Sequence, residues 1–170
     1  MRDLTTSWPA IPDWANAELR QNDIIVRRVM PASQHLVSGN LAAFAASAGI
    51  EGTGVGGFGR VEGETYALRL ARDRLLAVNA PAASASPGWH QEGFAATDVS
   101  AMYHVFEIEG DGIPALLEEA LLIDPRNVGP SAIVVFAGQQ VIAYHHGDRL
   151  RLHIERGMAP YLWQWMEARD

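Results

Sequence analysis

Apolar and polar residues follow a pattern along the chain that occurs twice. In the first part, strand-like apolar runs cover 24–30 and 35–37, and apolar residues over 41–48 then follow the i, i+3, i+4, i+7 spacing of a helix. Two further strand-like runs, 66–71 and 75–78, come after a glycine-rich stretch. The first part therefore predicts the order strand, helix, strand, strand.

The second part repeats this plan with an extra strand and a closing helix. Strand-like runs at 94–97 and 102–108 precede a helix predicted from Gly110 through Leu122, with Asp111 as its N-cap. Three strands and a last helix follow, at 132–136, 140–145, 149–154 and about 157–168. The strand 149–154 alternates cleanly, with Leu150, Leu152 and Ile154 on one face and Arg149, Arg151 and His153 on the other.

The pattern predicts an α+β fold made of two similar βαββ-type halves, with mainly antiparallel sheets and helices packed on one face. The first residues lack any helical or strand period but contain Trp8 and Trp14, which favours an arm held by its tryptophans. The predicted divisions are an amino-terminal arm (1–22) and a single domain (23–170), whose halves 23–78 and 94–170 are joined by an Ala/Pro/Ser-rich connection (79–93).

Composition narrows the class of protein and of chemistry. The 170 residues are 48% hydrophobic and 19% charged, with a formal net charge of −7, which is typical of a globular protein and argues against nucleic acid or an anionic membrane as the main partner. All 13 basic residues are arginine, and cysteine is absent. These absences exclude a pyridoxal Schiff base, a P-loop lysine, thiolate nucleophiles and Cys-containing zinc sites. No apolar run approaches the roughly 20 residues of a spanning helix, so a cytoplasmic protein is expected.

The glycine-rich stretch 52–63 fits the pattern G-x-G-x-x-G literally. A dinucleotide fingerprint needs a strand entering the turn and a helix leaving it, so that the phosphate meets a helix N-terminus. Here a predicted helix enters and nothing helical leaves. We therefore expect a flexible loop that orders against a partner rather than a nucleotide site.

The histidines and carboxylates do not form a recognisable catalytic or metal-binding set. His145 and His146 are adjacent, so on a strand they point to opposite faces, and His153 across a hairpin has no carboxylate at a ligand-like spacing. Glu107 and Glu109 share a strand face about 7 Å apart, which suits either acid/base chemistry or, more commonly, a solvated strand. The sequence thus predicts no metal site and no catalytic residue.

The last helix and the arm supply candidates for a protein interface. Trp163 lies at the margin of the helix's apolar stripe, where its ring either packs on the sheet or faces another chain, and packing within the chain is the favoured interpretation. Aromatic residues and arginine are typical of interfaces. The predicted interface residues are Trp8, Trp14, Phe58, Arg60 and Trp163.

Several short motifs, through their order and spacing, resemble a known family. They are Tyr66–Leu76, Thr97-Asp98-Val99-Ser100, Gly110-Asp111 before a leucine-rich helix, Asp124-Pro125, Leu152-His153-Ile154 and Ala159-Pro160-Tyr161-Leu162-Trp163-Gln164-Trp165. Over residues 24–168 the chain resembles the γ subunit of heterotetrameric sarcosine oxidase and, more distantly, the glycine-cleavage aminomethyltransferase family.

The resemblance implies a non-catalytic accessory subunit of a complex that oxidatively demethylates sarcosine. It implies no cofactor on this chain, with FAD, FMN, NAD and tetrahydrofolate bound by larger partner subunits, and contact with those subunits through the arm, the glycine-rich stretch and the region of Trp163. Two alternatives stay open: a stand-alone folate-binding or one-carbon transfer protein of the same fold, and a general oligomeric binding module.

Overall fold

Two mainly antiparallel β-sheets with helices packed on one face of each make up the fold, as the sequence predicts. The computed structural model describes residues 11–127 and 129–169. In chain order the strands are β1 (Glu18–Gln21), β2 (Ile24–Val29), β3 (Gln34–Gly39), β4 (Arg60–Val61), β5 (Tyr66–Ala71), β6 (Arg74–Val78), β7 (Gly88–His90), β8 (Phe94–Asp98), β9 (Tyr103–Glu109), β10 (Ile133–Phe136), β11 (Gln139–His146) and β12 (Arg149–Glu155), and the helices are α1 (Leu41–Ala48), α2 (Ile113–Ala120) and α3 (Ala159–Glu167).

The sheets exchange strands between the two predicted halves. Sheet A has the order β1-β2-β9-β12-β11-β10, with the short strand β4 pairing in parallel with β11, and sheet B has the order β5-β6-β3-β8-β7. Strand β2 from the first half therefore pairs with β9 in sheet A, and β8 from the second half pairs with β3 in sheet B. The halves interlock, so sheet membership does not follow the division at 79–93.

Three strands lie where the sequence predicts none. Strand β1 falls within the predicted arm, β4 within the glycine-rich stretch, and β7 within the predicted connection. Strand β1 forms a hairpin with β2 through Asn22 and Asp23, whose φ angles of 47° and 58° are both positive, as a tight two-residue turn of type I′ requires. The Asn-Asp pair between two short runs is the signal that identifies this hairpin.

Helix ends follow local chemistry. Helix α1 begins after Asn40, whose Oδ1 accepts a hydrogen bond from the Ala43 N–H at 3.2 Å, and ends at Gly49 in the left-handed conformation. Helix α2 is shorter than predicted, and its N-cap is Gly112 rather than Asp111. The Gly112 N–H instead donates to the Asp23 carbonyl, because the chain before α2 packs against the β1–β2 turn.

None of the helices among the described residues is long and apolar enough to cross a membrane.

Three apolar clusters hold the layers together. Sheet A packs on α2 and α3 through residues such as Phe106, Leu152 and Leu162, and a second cluster joins sheet B to α1. The third lies between the sheets and includes Leu68 and Ile142. Full burial of one such side chain contributes roughly 1.5–3 kcal/mol, so all three layer contacts stabilise the fold substantially.

The central part of the glycine-rich stretch, 55–61, is packed between the sheets, so the prediction of a flexible loop is wrong for this part. Val55 bridges Leu68 of sheet B, whereas the Phe58 N–H donates to the Ala143 carbonyl of sheet A at 2.9 Å. A Cβ on Gly56 would lie 1.7 Å from the carbonyl oxygen of Gly129. Glycine is needed here because two backbones approach closely, not because a phosphate is bound.

Replacing Gly56 with alanine is therefore expected to lower the free energy of unfolding by about 3 kcal/mol, since the added methyl group meets backbone atoms that must shift. Denaturant unfolding measures the loss. Gly157→Ala is the control, because no atom lies within 4 Å of the Cβ it would add. Equal stability of the two variants would contradict the packed arrangement.

Candidate functional site

A row of alternating charges crosses the face of sheet A that is turned away from its helices. Glu18 pairs in register with Arg27, Arg27 with Glu107, and Glu107 with Arg151, on four adjacent strands. The Arg151 Nη2 atom lies 2.7 Å from Glu107 Oε2, and the Arg27 Nε atom lies 2.5 Å from Glu18 Oε2. Opposite charges directly across a sheet stabilise the pairing that brings them together.

The next positions on the same face complete the network. Arg149 Nη1 lies 2.8 Å from Glu107 Oε1, and Arg149 Nε lies 3.2 Å from Glu109 Oε2. Arg27 Nη1 also reaches Glu109, at 2.8 Å. Glu107 is buried, so the sequence interpretation of a solvated strand is wrong for this residue, whereas Glu109 is half-buried. Both carboxylates are engaged by arginine rather than paired for acid/base work.

From Arg151 a chain of hydrogen bonds runs between the two sheets. Arg151 Nη1 donates to the Tyr66 hydroxyl at 3.2 Å, and the Tyr66 and Tyr144 hydroxyls lie 2.7 Å apart. The Tyr144 hydroxyl lies 2.9 Å from His153 Nε2, and His153 Nδ1 lies 2.8 Å from Gln34 Oε1. Tyr66 and Gln34 belong to sheet B and the others to sheet A, so the chain ties the sheets together at two points.

The direction of donation along this chain follows from the state of His153. Burial, together with the charge of Arg151, lowers the pKa of His153 to about 3, so its ring is neutral at pH 7. The Gln34 Oε1 atom only accepts, which assigns the single ring proton to Nδ1 and leaves Nε2 to accept from Tyr144. Tyr66 then donates to Tyr144 and accepts from Arg151.

The direction of donation along these hydrogen bonds also indicates what the residues can do chemically. Burial raises the pKa of Tyr144 well above its ordinary value, so its hydroxyl keeps its proton. His153 has no free ring nitrogen, and every hydroxyl already has both an acceptor and a donor partner. The arrangement is suited to holding the sheets in one relative position rather than to moving protons.

The Asp98-Val99-Ser100 motif fixes Gln34, the residue at one end of the hydrogen-bond chain. The Ser100 hydroxyl accepts a hydrogen bond from the Gln34 N–H at 2.9 Å and donates to Asp98 Oδ1 at 2.6 Å. The Ser100 hydroxyl and the Ser100 backbone N–H both donate to Asp98 Oδ1, and these two hydrogen bonds hold the pKa of Asp98 below its ordinary value. The motif therefore fixes the backbone that presents the Gln34 side chain to His153.

A cleft of about 360 Å³ opens beside Arg151, at the other end of the hydrogen-bond chain. Arg151, Tyr66 and His146 line it, and Met30 and Val78 form part of its apolar wall. The His146 Nε2 atom donates to the Gly63 carbonyl at 2.8 Å, which holds the ring in place on the rim. The lining also includes the Glu64 carboxylate and the Asn79 amide, so the cleft combines charged and polar groups with apolar side chains.

The predicted interface residues lie mostly inside the chain. Trp14 and Trp163 meet edge to face with ring centroids 5.7 Å apart, and Phe58 and Trp163 are buried in the core of sheet A and its helices. Arg60 is exposed and pairs with Asp148 at 2.8 Å. Trp8 lies outside the described residues. Among the four described, Arg60 presents the most exposed side chain, and the interface itself stays a prediction.

His104 is held by packing against aromatic side chains. His104 lies against the Trp14 ring with centroids 4.4 Å apart, and burial, with the charges of Arg28 and Arg156, lowers its pKa to about 4. Within residues 11–127 and 129–169, no three His, Asp or Glu side chains come together as metal ligands.

Sequence reasoning missed Tyr66, Tyr144 and Gln34. It did place Arg149, Arg151 and His153 on one strand face and Glu107 and Glu109 on another. The absent information was the pairing of β9 with β12, which brings the two faces into one surface. The signal in the sequence is that Arg-x-Arg-x-His and Glu-x-Glu carry opposite charges at the same two-residue spacing, as expected of neighbouring strands.

Comparison with known proteins finds a likeness to solved structures. No family model matches the sequence, and the search of curated proteins finds no match. Among solved structures, a chain of the heterotetrameric sarcosine oxidase from Corynebacterium sp. U-96, in complex with pyrrole 2-carboxylate, superposes with a TM-score of 0.67 at 21% identity, covering 88% of this chain and 85% of that chain.

The chain has the fold of a sarcosine oxidase subunit. The resemblance seen in the sequence is thus confirmed at the level of the fold, as is the mixed α+β class. Because both coverages are high, the two chains have nearly the same length, and the likeness extends over both sheets rather than over one motif.

Tyr144→Phe is expected to lower the free energy of unfolding by roughly 2 kcal/mol, because the buried His153 Nε2 atom loses its donor and Tyr66 loses its acceptor. Tyr161→Phe is the matched control, since its hydroxyl bonds the Ala137 carbonyl at the surface, where water replaces it. Equal losses in the two variants, measured by chemical denaturation, would show that the buried chain contributes nothing special.

Stability is also expected to fall as the pH drops from about 6.5 towards 4. His153 and His104 have folded pKa values of about 3 and about 4 against 6.5 when unfolded, so the unfolded state takes up protons first and is favoured at low pH. Unfolding curves at pH 7 and pH 5 measure this. His104→Leu is expected to reduce the pH dependence, and an unchanged dependence would contradict the assignment.

Proposed function

We propose that this chain is the small accessory subunit, of γ type, of a sarcosine-oxidase-like complex that oxidatively demethylates sarcosine or a related N-methyl amino acid. The observation that carries the proposal is the likeness to a chain of nearly equal length from a heterotetrameric enzyme, with a TM-score of 0.67. In this proposal the flavin, NAD and tetrahydrofolate sites belong to larger partner subunits.

The chemistry of the described side chains supports an accessory role. Glu107 and Glu109, the one strand-face carboxylate pair that the sequence singles out, are both engaged by arginines. Tyr144 and His153 hold fixed protons and partners within the inter-sheet chain. These groups stabilise the fold, so catalysis is assigned to the partners.

Exposed apolar side chains around the outer edge of sheet A support contact with a partner. In the described part of the chain, β10 pairs with β11 alone, which leaves its other edge open. Ile133 and Val135 on this strand are exposed, and Leu122, just beyond α2, is 97% exposed. Isolated exposed apolar residues are ordinary, but two on an uncharged strand whose outer edge is open are typical of a surface that another chain covers.

Purification of the tagged chain from its native host tests the proposal. We expect it to bring down larger companions, flavin absorbance and sarcosine-dependent oxygen consumption, whereas the isolated chain is colourless and inactive with sarcosine. Turnover of sarcosine by the pure chain would overturn the accessory role. A lone, colourless chain that binds tetrahydrofolate in calorimetry would favour the stand-alone folate protein instead.

A charge placed on the β10 edge sharpens this test. Val135→Arg is expected to reduce co-purification of the companions at least tenfold, because the arginine must be desolvated in the contact. Ala46→Arg, on the exposed side of α1 at the opposite layer, is the control and leaves co-purification unchanged. Both variants are checked for unchanged thermal unfolding.

A further inference from the structure

The backbone of β10 points alternately towards β11 and towards the open edge of sheet A. In an antiparallel pair, the N–H and C=O groups of successive residues face the partner strand and then the opposite side. The Ala143 N–H donates to the Ala132 carbonyl at 2.9 Å, which fixes this alternation at the start of β10. The backbone groups of Val134 therefore face β11, and those of Ile133 and Val135 face the open edge.

The chain's own groups satisfy both ends of this edge. At the start of β10, the Ile133 N–H donates to the Ser131 Oγ atom at 3.1 Å. Just beyond the strand, the Ala137 N–H donates to the Ala120 carbonyl at 2.9 Å, and the Ala137 carbonyl accepts from the Tyr161 hydroxyl at 2.9 Å. Hydrogen bonding by the chain to the edge thus stops short of its middle.

The backbone groups in the middle of the edge stay available. The Ile133 C=O and the N–H and C=O of Val135 have no hydrogen-bond partner within residues 11–127 and 129–169. Both side chains are exposed, so water reaches these groups in the isolated chain. The backbone of another extended segment fits them, because its own N–H and C=O groups alternate with the same spacing.

The other sheet edges carry features that prevent the addition of a strand. Strand β1 carries the charges of Glu18 and Arg20, and the edge of β5 is covered, since the Arg69 N–H donates to the Val55 carbonyl. Strand β7 has only three residues, of which Gly88 is one. The four residues of β10 include no charge, proline or glycine. Because proteins ordinarily protect their exposed edges, the unprotected edge of β10 is typical of one that pairs with another chain.

The charge of the chain favours a different protein over a second copy as the source of that strand. With a formal net charge of −7 on each chain, two copies repel one another. We propose that a strand of a larger partner subunit adds to β10, extends sheet A and bonds to the backbone of Ile133 and Val135. This inference rests on the proposed accessory role and adds the place and the mode of the contact. The side chains of the added strand cover Ile133 and Val135 on the exposed face.

Hydrogen exchange in the purified complex and in the isolated chain tests the pairing, with single amides resolved by fragmentation mass spectrometry. The Val135 amide is expected to exchange roughly 100-fold more slowly in the complex, because its hydrogen bond must open before exchange. The Val134 amide, which faces β11, is the internal control and exchanges slowly in both.

The outcomes separate this inference from the proposed function. Unchanged exchange of the Val135 amide in a complex that keeps its companions overturns the strand addition and leaves the accessory role intact. Absence of companions overturns both. Slow exchange of Val135 in an isolated chain that sediments as a dimer overturns the proposal in favour of a second copy.

Two variants distinguish a backbone contact from a side-chain contact. Val135→Pro removes the outward N–H and leaves the bonds to β11 in place, as is allowed for proline on an edge strand. It is expected to reduce co-purification of the companions about tenfold relative to Val135→Ala, which also loses the valine side chain but keeps the N–H. Equal co-purification by the two variants would refute backbone pairing. Should Val135→Pro fail to fold, hydrogen exchange in the wild-type complex decides.

Discussion

The buried hydrogen-bond chain between the sheets is the constraint on which the rest of the structure depends. Gln34, His153, Tyr144 and Tyr66 lie among apolar side chains, where each unsatisfied polar group costs roughly 1–3 kcal/mol. They satisfy one another only when β3 and β5 of sheet B sit at one position over β11 and β12 of sheet A. Apolar contacts alone would allow one sheet to slide over the other, but the buried hydrogen bonds are satisfied at only one relative position of the sheets.

The glycine-rich segment allows the two sheets to approach each other in that relative position. Between Val55 and Val61 the backbone leaves the edge of β5 and joins the edge of β11, so a single segment is hydrogen-bonded to both sheets. Its approach to the backbone at 129–131 leaves no room for side chains at Gly56 and Gly57. A sequence that fits a phosphate-binding loop therefore connects the two sheets by hydrogen bonds. It continues into β4 rather than into a helix.

Local patterns in the sequence predicted the elements well and their partners poorly. Strand β5 has the predicted bounds, α1 ends at Gly49 as expected, and the two faces of β12 are those that alternation gives. These features depend on residues close together in the chain. The ion pairs of Glu107, the exchange of β2 and β8 between sheets, and the contact of Gly56 with Gly129 depend on residues far apart, and one sequence carries no direct record of such pairings. The recognised family motifs supplied what periodicity did not, since their order along the chain corresponds to the fold that the structural likeness confirms.

Arg151 links the interior of the protein to its surface. Its Nη1 atom starts the hydrogen-bond chain by donating to Tyr66, its Nε atom donates to Glu107, and the residue lines the cleft between the sheets. Because one guanidinium group belongs to both networks, the ion pairs that hold β12 against β9 also fix the donor from which Tyr66 of sheet B accepts. The charged face of sheet A and the buried hydrogen bonds between the sheets are therefore one connected arrangement, and the position of sheet B over sheet A is set partly by residues at the protein surface.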